Sequence, residues 1–177
     1  MNNKKDIKES LIYYKEVKMH KLKQTKPDIS VLSVEPKFIE KFWPLCDFMV
    51  AEALKYSGEF AEPRDLKELL LKDEAQLFIV FGSDEEEVNQ VFGLFITRIA
   101  ALPNYNQLEA IICTGRKRDL WEDKIVKTVT SFAQVNKCKR LCFWVRPGWS
   151  RVSKKWGWKA KHIQMEKECL LVAQQQT

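Results

Sequence analysis

Apolar positions change their spacing several times along the chain, and each change marks an element. Ile29 to Val34 alternates apolar and polar residues, the period of a half-buried strand at a sheet edge. From Phe38 to Tyr56 the period turns helical: Phe38, Phe42, Leu45, Met49 and Ala53 recur at three and four, with Pro44 a kink point. Ser57-Gly58 ends that helix, and Pro63 sits in the first turn of a second one through Leu71. Gln76 to Phe81 and Gln90 to Ile99 read as strands joined by a charged hairpin loop, Gly82-Ser-Asp-Glu-Glu-Glu-Val. Pro103-Asn104 turns the chain into a third apolar run, Leu108 to Cys113, which stops at Thr114-Gly115. A helix follows from about Leu120 to Lys137, with Ile125, Val129 and Phe132 on one face. Asp119 is its expected N-cap, and Glu122 three residues on completes a capping box. Leu141 to Val145 is a β-rich run stopped by Pro147-Gly148; a short helix and a last alternating strand, Lys159 to Cys169, close the pattern.

This order predicts an α+β domain with a mainly antiparallel sheet and one parallel pair. Strand, helix, strand between Leu108 and Val145 is a βαβ unit, so its two strands are expected to be parallel neighbours with a right-handed crossover. The loop before the helix is where such a unit offers backbone N–H groups to an anion.

Size and charge narrow the reading. At 177 residues and 45% hydrophobic, the chain supports one domain, expected over 28–169, with a basic arm at 1–27 and a polar tail at 170–177. No apolar run reaches the roughly 20 residues of a membrane helix, and the lysine-rich start lacks a signal peptide's apolar core. Five cysteines without paired spacing fit a reducing compartment, the cytoplasm of a host cell or a virion. Cys138 and Cys142, expected to straddle a helix end and a strand start, have only His20 and His162 besides, so no metal site is expected. The net charge of +6 is uneven: residues 1–26 carry +5, 27–136 carry −7 and 137–168 carry +8. Two basic ends on an acidic middle suit a polyanion or an acidic protein surface. In the arm, Ile7, Leu11, Tyr14 and Val17 form a narrow apolar stripe that needs a surface to dock on. Lys4, Lys5, Lys8 and Lys15 of the arm are the expected partner contacts, together with Arg146, Trp149 and Arg151. Trp144, Trp149, Trp156 and Trp158 beside Arg146, Arg151, Lys154 and Lys155 read as core and rim packing or as stacking platforms for nucleic acid.

The element order over residues 29–168, with Arg146-Pro-Gly-Trp149 followed by Trp156-Gly157-Trp158, resembles the Gcn5-related N-acetyltransferase (GNAT) fold. The ending is similar to that of small GNAT-like proteins encoded by tailed bacteriophages. The resemblance implies acetyl-CoA held where the two parallel strands splay. It also implies a diphosphate wrapped by the loop after the first strand, typically Gln/Arg-x-x-Gly-x-Gly/Ala. That place covers Cys113, Thr114, Gly115, Arg116, Lys117 and Arg118, and only Gly115 survives of the glycines. The three cations could pair with phosphates, while Glu122 and Asp123 would repel them. Where the family often carries a tyrosine as general acid, the sequence has Ser153, a far poorer acid. Glu109 is the carboxylate on the strand before the loop and the remaining candidate for proton transfer; alternation leaves its face open.

Three functions follow as expectations. The first is a phage-type GNAT-like protein with an eroded acetyl-CoA site, a binding or virion-associated structural module joined to a protein assembly through its arm, with no cofactor bound. The second is an active N-acetyltransferase that uses acetyl-CoA on an unknown amine. The third is a nucleic-acid binder using the basic C-terminal third. Whether Trp121 or Arg118 fills the cleft after Thr114 discriminates the first two.

Overall fold

The computed structural model describes residues 27–56, 60–143 and 151–161. The chain divides into two compact units, residues 1–144 and 145–177. The first holds a five-stranded sheet in the order β1 (Asp28–Val34), β2 (Gln76–Ser83), β3 (Gln90–Leu102), β4 (Tyr105–Gly115) and β5 (Cys138–Phe143). Every neighbouring pair is antiparallel except β4 and β5, which are parallel. Among the described residues three helices flank the sheet: α1 (Ile39–Leu54), α2 (Pro63–Leu71) and α3 (Glu122–Val135). This is the expected mixed α+β architecture, with β1 at a sheet edge.

Side chains alternate across the strands and so feed two cores. On one face Leu77, Ile79, Leu94, Ile96 and Ile112 pack with the buried residues of α1 and α2. On the other, Phe78, Val80, Phe95, Leu108 and Ala110 pack with Ile125, Val129 and Ala133 of α3. Phe132, expected on that stripe, is partly buried and meets Phe78 edge-to-face at 5.4 Å.

The buried stripe of α1 is Ile39, Trp43, Cys46, Val50 and Leu54, one residue on from the expected Phe38, Phe42, Leu45, Met49 and Ala53. One residue is a rotation of about 100°. Both stripes are apolar, so spacing alone does not choose between them. Phe38 lies at the N-cap rather than inside the helix, and the stripe with Trp43 gains the larger buried ring. Leu45 is left 57% exposed and Phe48 74% exposed. In α2, Pro63 takes the first turn as expected, and the Asp65 carboxylate accepts the Glu62 N–H at 2.8 Å. Ser57-Gly58 lies outside the described residues.

The start of α3 corrects a second expectation. Asp119 is not the N-cap; it lies inside a 3-10 turn, Arg118–Leu120, and the helix begins at Glu122 with Trp121 as N-cap and no side-chain cap. The cause is burial of Trp121, which is 2% exposed and fixes where the helical turn can begin. Strand β5 starts earlier than Leu141 and contains both Cys138 and Cys142. In the second unit the described residues form a 3-10 turn, Ser153–Trp156, closed by Gly157 in the left-handed region (φ 79°). The expected strand from Lys159 lies mostly outside the described residues, as do Pro147-Gly148 and the short helix at Trp149. No helix among the described residues is long and apolar enough to cross a membrane.

Candidate functional site

The parallel pair is short. β4 is in register with β5 only from Asn106 to Ala110, ending at Ala110 opposite Phe143, whereas it stays with β3 as far as Gly115. Its last five residues therefore have no β5 register partner among the described residues. The break coincides with a bulge: Ile96 faces Ile112 and Thr97 faces Ala110, so Ile111 is the extra residue on β4. The bulge shifts the alternation. Leu108 and Ala110 face α3, while Ile111 and Ile112 both face α1.

The loop that follows is anchored from below. Trp121 lies across paired Gly93 and Gly115, where a Cβ would come within 3.0 Å and 2.8 Å of its ring. A Cβ on Gly115 would also sit 2.5 Å from the Phe92 carbonyl oxygen. Trp121 Nε1–H donates to the Arg116 carbonyl at 2.8 Å, and the Arg116 amide donates to the Phe92 carbonyl at 2.8 Å. The indole thus packs on the paired glycines of β3 and β4. Arg118 pairs with Glu122 at the start of α3, with Nε 2.8 Å from Oε2. Lys117 adopts the left-handed conformation (φ 48°, ψ 48°) just before the 3-10 turn. A left-handed residue followed by a right-handed turn makes a concave cradle of amides, and neither the Lys117 nor the Asp119 amide makes a hydrogen bond among the described residues.

The cations of this loop have partners. Arg116 Nη1 pairs with Glu87 Oε1, and Lys117 Nζ lies 2.7 Å from Asp84 Oδ2 and 2.6 Å from Glu86 Oε2. Lys117 holds the Asp84 carboxyl below its usual range, Arg116 does the same for Glu87, and the two carboxylates beside Lys117 push its ammonium well up. Cys113 turns toward α3, where burial pushes its thiol up to about 12 against the opposing charge of Arg118. Thr114, the next residue, is half-buried opposite Leu94.

Glu109 sits two residues before the bulge. Its neighbours Leu108 and Ala110 face α3, so it shares the opposite face with Ile111 and Ile112. Its carboxylate accepts from Arg98 Nε at 2.8 Å and from Gln107 Nε2 at 2.7 Å, and its side chain is 14% exposed. Cys142 stands opposite it on β5; burial first, and the Glu109 charge second, push that thiol up. Arg140 donates to the Tyr105 hydroxyl at 2.8 Å and stacks over its ring, with Lys139 Nζ 5.9 Å from the same ring. Sequence reasoning missed Arg98, Tyr105, Gln107, Arg140 and the Asp84–Glu87 hairpin as site residues. Only their strand neighbours, not any local motif, bring them together.

The other sequence-derived residues are not gathered here. Ser153 is buried in the second unit, and Arg151 is exposed just before it. Lys4, Lys5, Lys8, Lys15, Arg146 and Trp149 lie outside the described residues.

No family model and no curated protein matches this chain. Solved structures do. An aminoglycoside acetyltransferase from an uncultured soil metagenomic sample superposes with TM-score 0.60 at 10% identity, covering 81% of this chain and 99% of its own. A second such enzyme, solved with sisomicin, gives 0.58 at 8% identity over 80% and 97%. A Trypanosoma brucei acetyltransferase gives 0.57 at 9% identity over 80% and 100%. At these identities the likeness defines the fold alone, and the fold is GNAT-like.

Proposed function

We propose that this chain is an acetyl-CoA-dependent N-acetyltransferase. One observation carries the reading: a parallel strand pair that ends in register where β4 bulges at Ile111, followed by a loop whose Lys117 and Asp119 amides have no acceptor among the described residues. These amides fit a diphosphate, and Gly115 lets the start of the loop pack against Phe92 and Trp121. When bound, the cofactor supplies the activated acyl thioester. Glu109, on the same face as the bulge and roughly two strand residues (about 7 Å) from it, takes the proton from an acceptor amine, directly or through a water. Arg98 and Gln107 hold its carboxylate in place.

The acceptor differs in kind from those of the aminoglycoside-modifying neighbours. Arg98 pairs with Glu109, and Lys139 and Arg140 lie over Tyr105 at the start of β4, so cations outnumber carboxylates in these contacts, a poor setting for a polycation. The test is release of free CoA thiol from acetyl-CoA with a panel of amines, backed by calorimetric binding of CoA. Turnover with a neutral or acidic amine is expected. Absence of CoA binding at millimolar concentration removes the reading.

A second reading is favoured by the pairing of all three loop cations within the protein. In it the same fold serves as a non-catalytic binding module, the phage-like one, that joins an assembly through Lys4, Lys5, Lys8 and Lys15. Deleting residues 1–26 would then abolish assembly and leave the domain folded. Nucleic-acid binding through the basic C-terminal third requires an affinity that falls steeply with salt.

A further inference from the structure

The hairpin between β2 and β3 carries four successive acids, Asp84 to Glu87, and is folded around the first of them. Asp84 Oδ1 accepts the amides of Glu86 at 2.9 Å and Glu87 at 2.8 Å, while the Asp84 amide donates back to the Glu87 carbonyl at 2.8 Å. This turn aims three carboxylates at the loop after β4. Lys117 meets Asp84, Glu86 and, at 3.5 Å, Glu87. Arg116 meets Glu87, and its guanidinium lies 5.3 Å from the Phe92 ring centre. Arg118 meets Glu122. Three cations thus face four carboxylates, and Glu85, Asp119 and Asp123 add three negative charges to the same two segments against the single further cation Lys124, whose ammonium donates to the Ile29 carbonyl. The loop offers backbone amides to an anion but no surplus positive side chain.

Resting on the function proposed above, we propose that the loop receives its acyl donor through the pantetheine and diphosphate alone and does not read the 3′-phosphate. Donors of the dephospho-CoA class then bind at least as tightly as CoA itself. A terminal phosphate monoester carries about −1.5 to −2 at neutral pH, and the hairpin and loop together present it with the field of a net negative charge, their own cations already paired. The repulsion is long-ranged and therefore salt-dependent, with a Debye length of about 30 Å at 0.01 M and about 8 Å at 0.15 M.

The experiment is calorimetric titration of the full chain with CoA, dephospho-CoA and pantetheine at 0.01 M and 0.15 M salt, beside a Glu86→Gln/Glu87→Gln double variant. Dephospho-CoA is expected to bind about threefold to tenfold more tightly than CoA at low salt, with the gap closing at 0.15 M. In the variant, Lys117 and Arg116 lose carboxylate partners, and the order is expected to invert in favour of CoA. Glu86 is exposed, and a melting curve controls for the fold. Tenfold tighter binding of CoA by the unaltered chain overturns the inference but leaves the acetyltransferase reading standing. Binding of both ligands only in the double variant overturns the inference too. Failure of all three ligands on both proteins removes that reading and the inference with it.

Discussion

The two ends of β4 are built on opposite electrostatic plans. At the loop end, Arg116, Lys117 and Arg118 are each met by carboxylates, and what remains for a ligand is backbone. Toward the other end, Arg98 on β3 pairs with Glu109, while Lys139 and Arg140 on β5 lie over the ring of Tyr105, a neighbour that carries no carboxylate. The difference teaches that the local count of charges in sequence says little about the charge a ligand meets. A run of three cations ends up neutralised, while cations on two different strands, β3 and β5, end up in excess.

The comparison can be broken most forcefully at the loop end. Trp121→Ala removes the ring on which Gly93 and Gly115 rest and is expected to cost about 3–5 kcal/mol, read by urea denaturation. A loss under about 1 kcal/mol would mean the loop does not depend on that anchor. In mid-strand, Glu109→Gln is expected to lower kcat about 100-fold or more while calorimetric CoA affinity stays constant. A matching fall in CoA affinity would place Glu109 at the wrong end of the strand.

The pH dependence of melting separates the ends next. Asp84 and Glu87 are held below their usual range by Lys117 and Arg116, so their contribution is present above the unfolded carboxylate values. It is lost as pH falls through the lower folded values, below about pH 4. The Lys117 shift is upward, so its share persists until pH exceeds the ordinary lysine range near 10.4. Asp84→Asn should therefore melt below the unaltered chain at pH 7, and the two curves should converge in acid. Parallel curves would deny the linkage. The smallest effect belongs to the outer face of α1: Phe48→Ser is expected to change stability by less than about 0.5 kcal/mol.

Much of the architecture was legible because strand and helix periods differ. Alternation in β1, the Pro63 start of α2 and the Pro103-Asn104 turn all stand where the sequence puts them. The α1 stripe was misplaced because that helix is apolar on two adjoining faces, and only packing on the sheet selects Trp43 over Phe42. The N-cap of α3 was misplaced because a buried indole outweighed a local carboxylate. The bulge at Ile111 carries no local signature; no glycine or proline marks it. Asp84 to Glu87 was readable as a charged hairpin, but its partners sit about 30 residues on, across β3 and β4.

The carbonyl of Phe92 ties the loop to β3 through the Arg116 amide, while Lys117 and Arg116 tie it to the hairpin. Changes in these segments are therefore not independent over evolutionary time. A lineage that exchanges Asp84 for a neutral residue strands Lys117 beside fewer partners and favours its replacement, so related chains should keep or lose the two together.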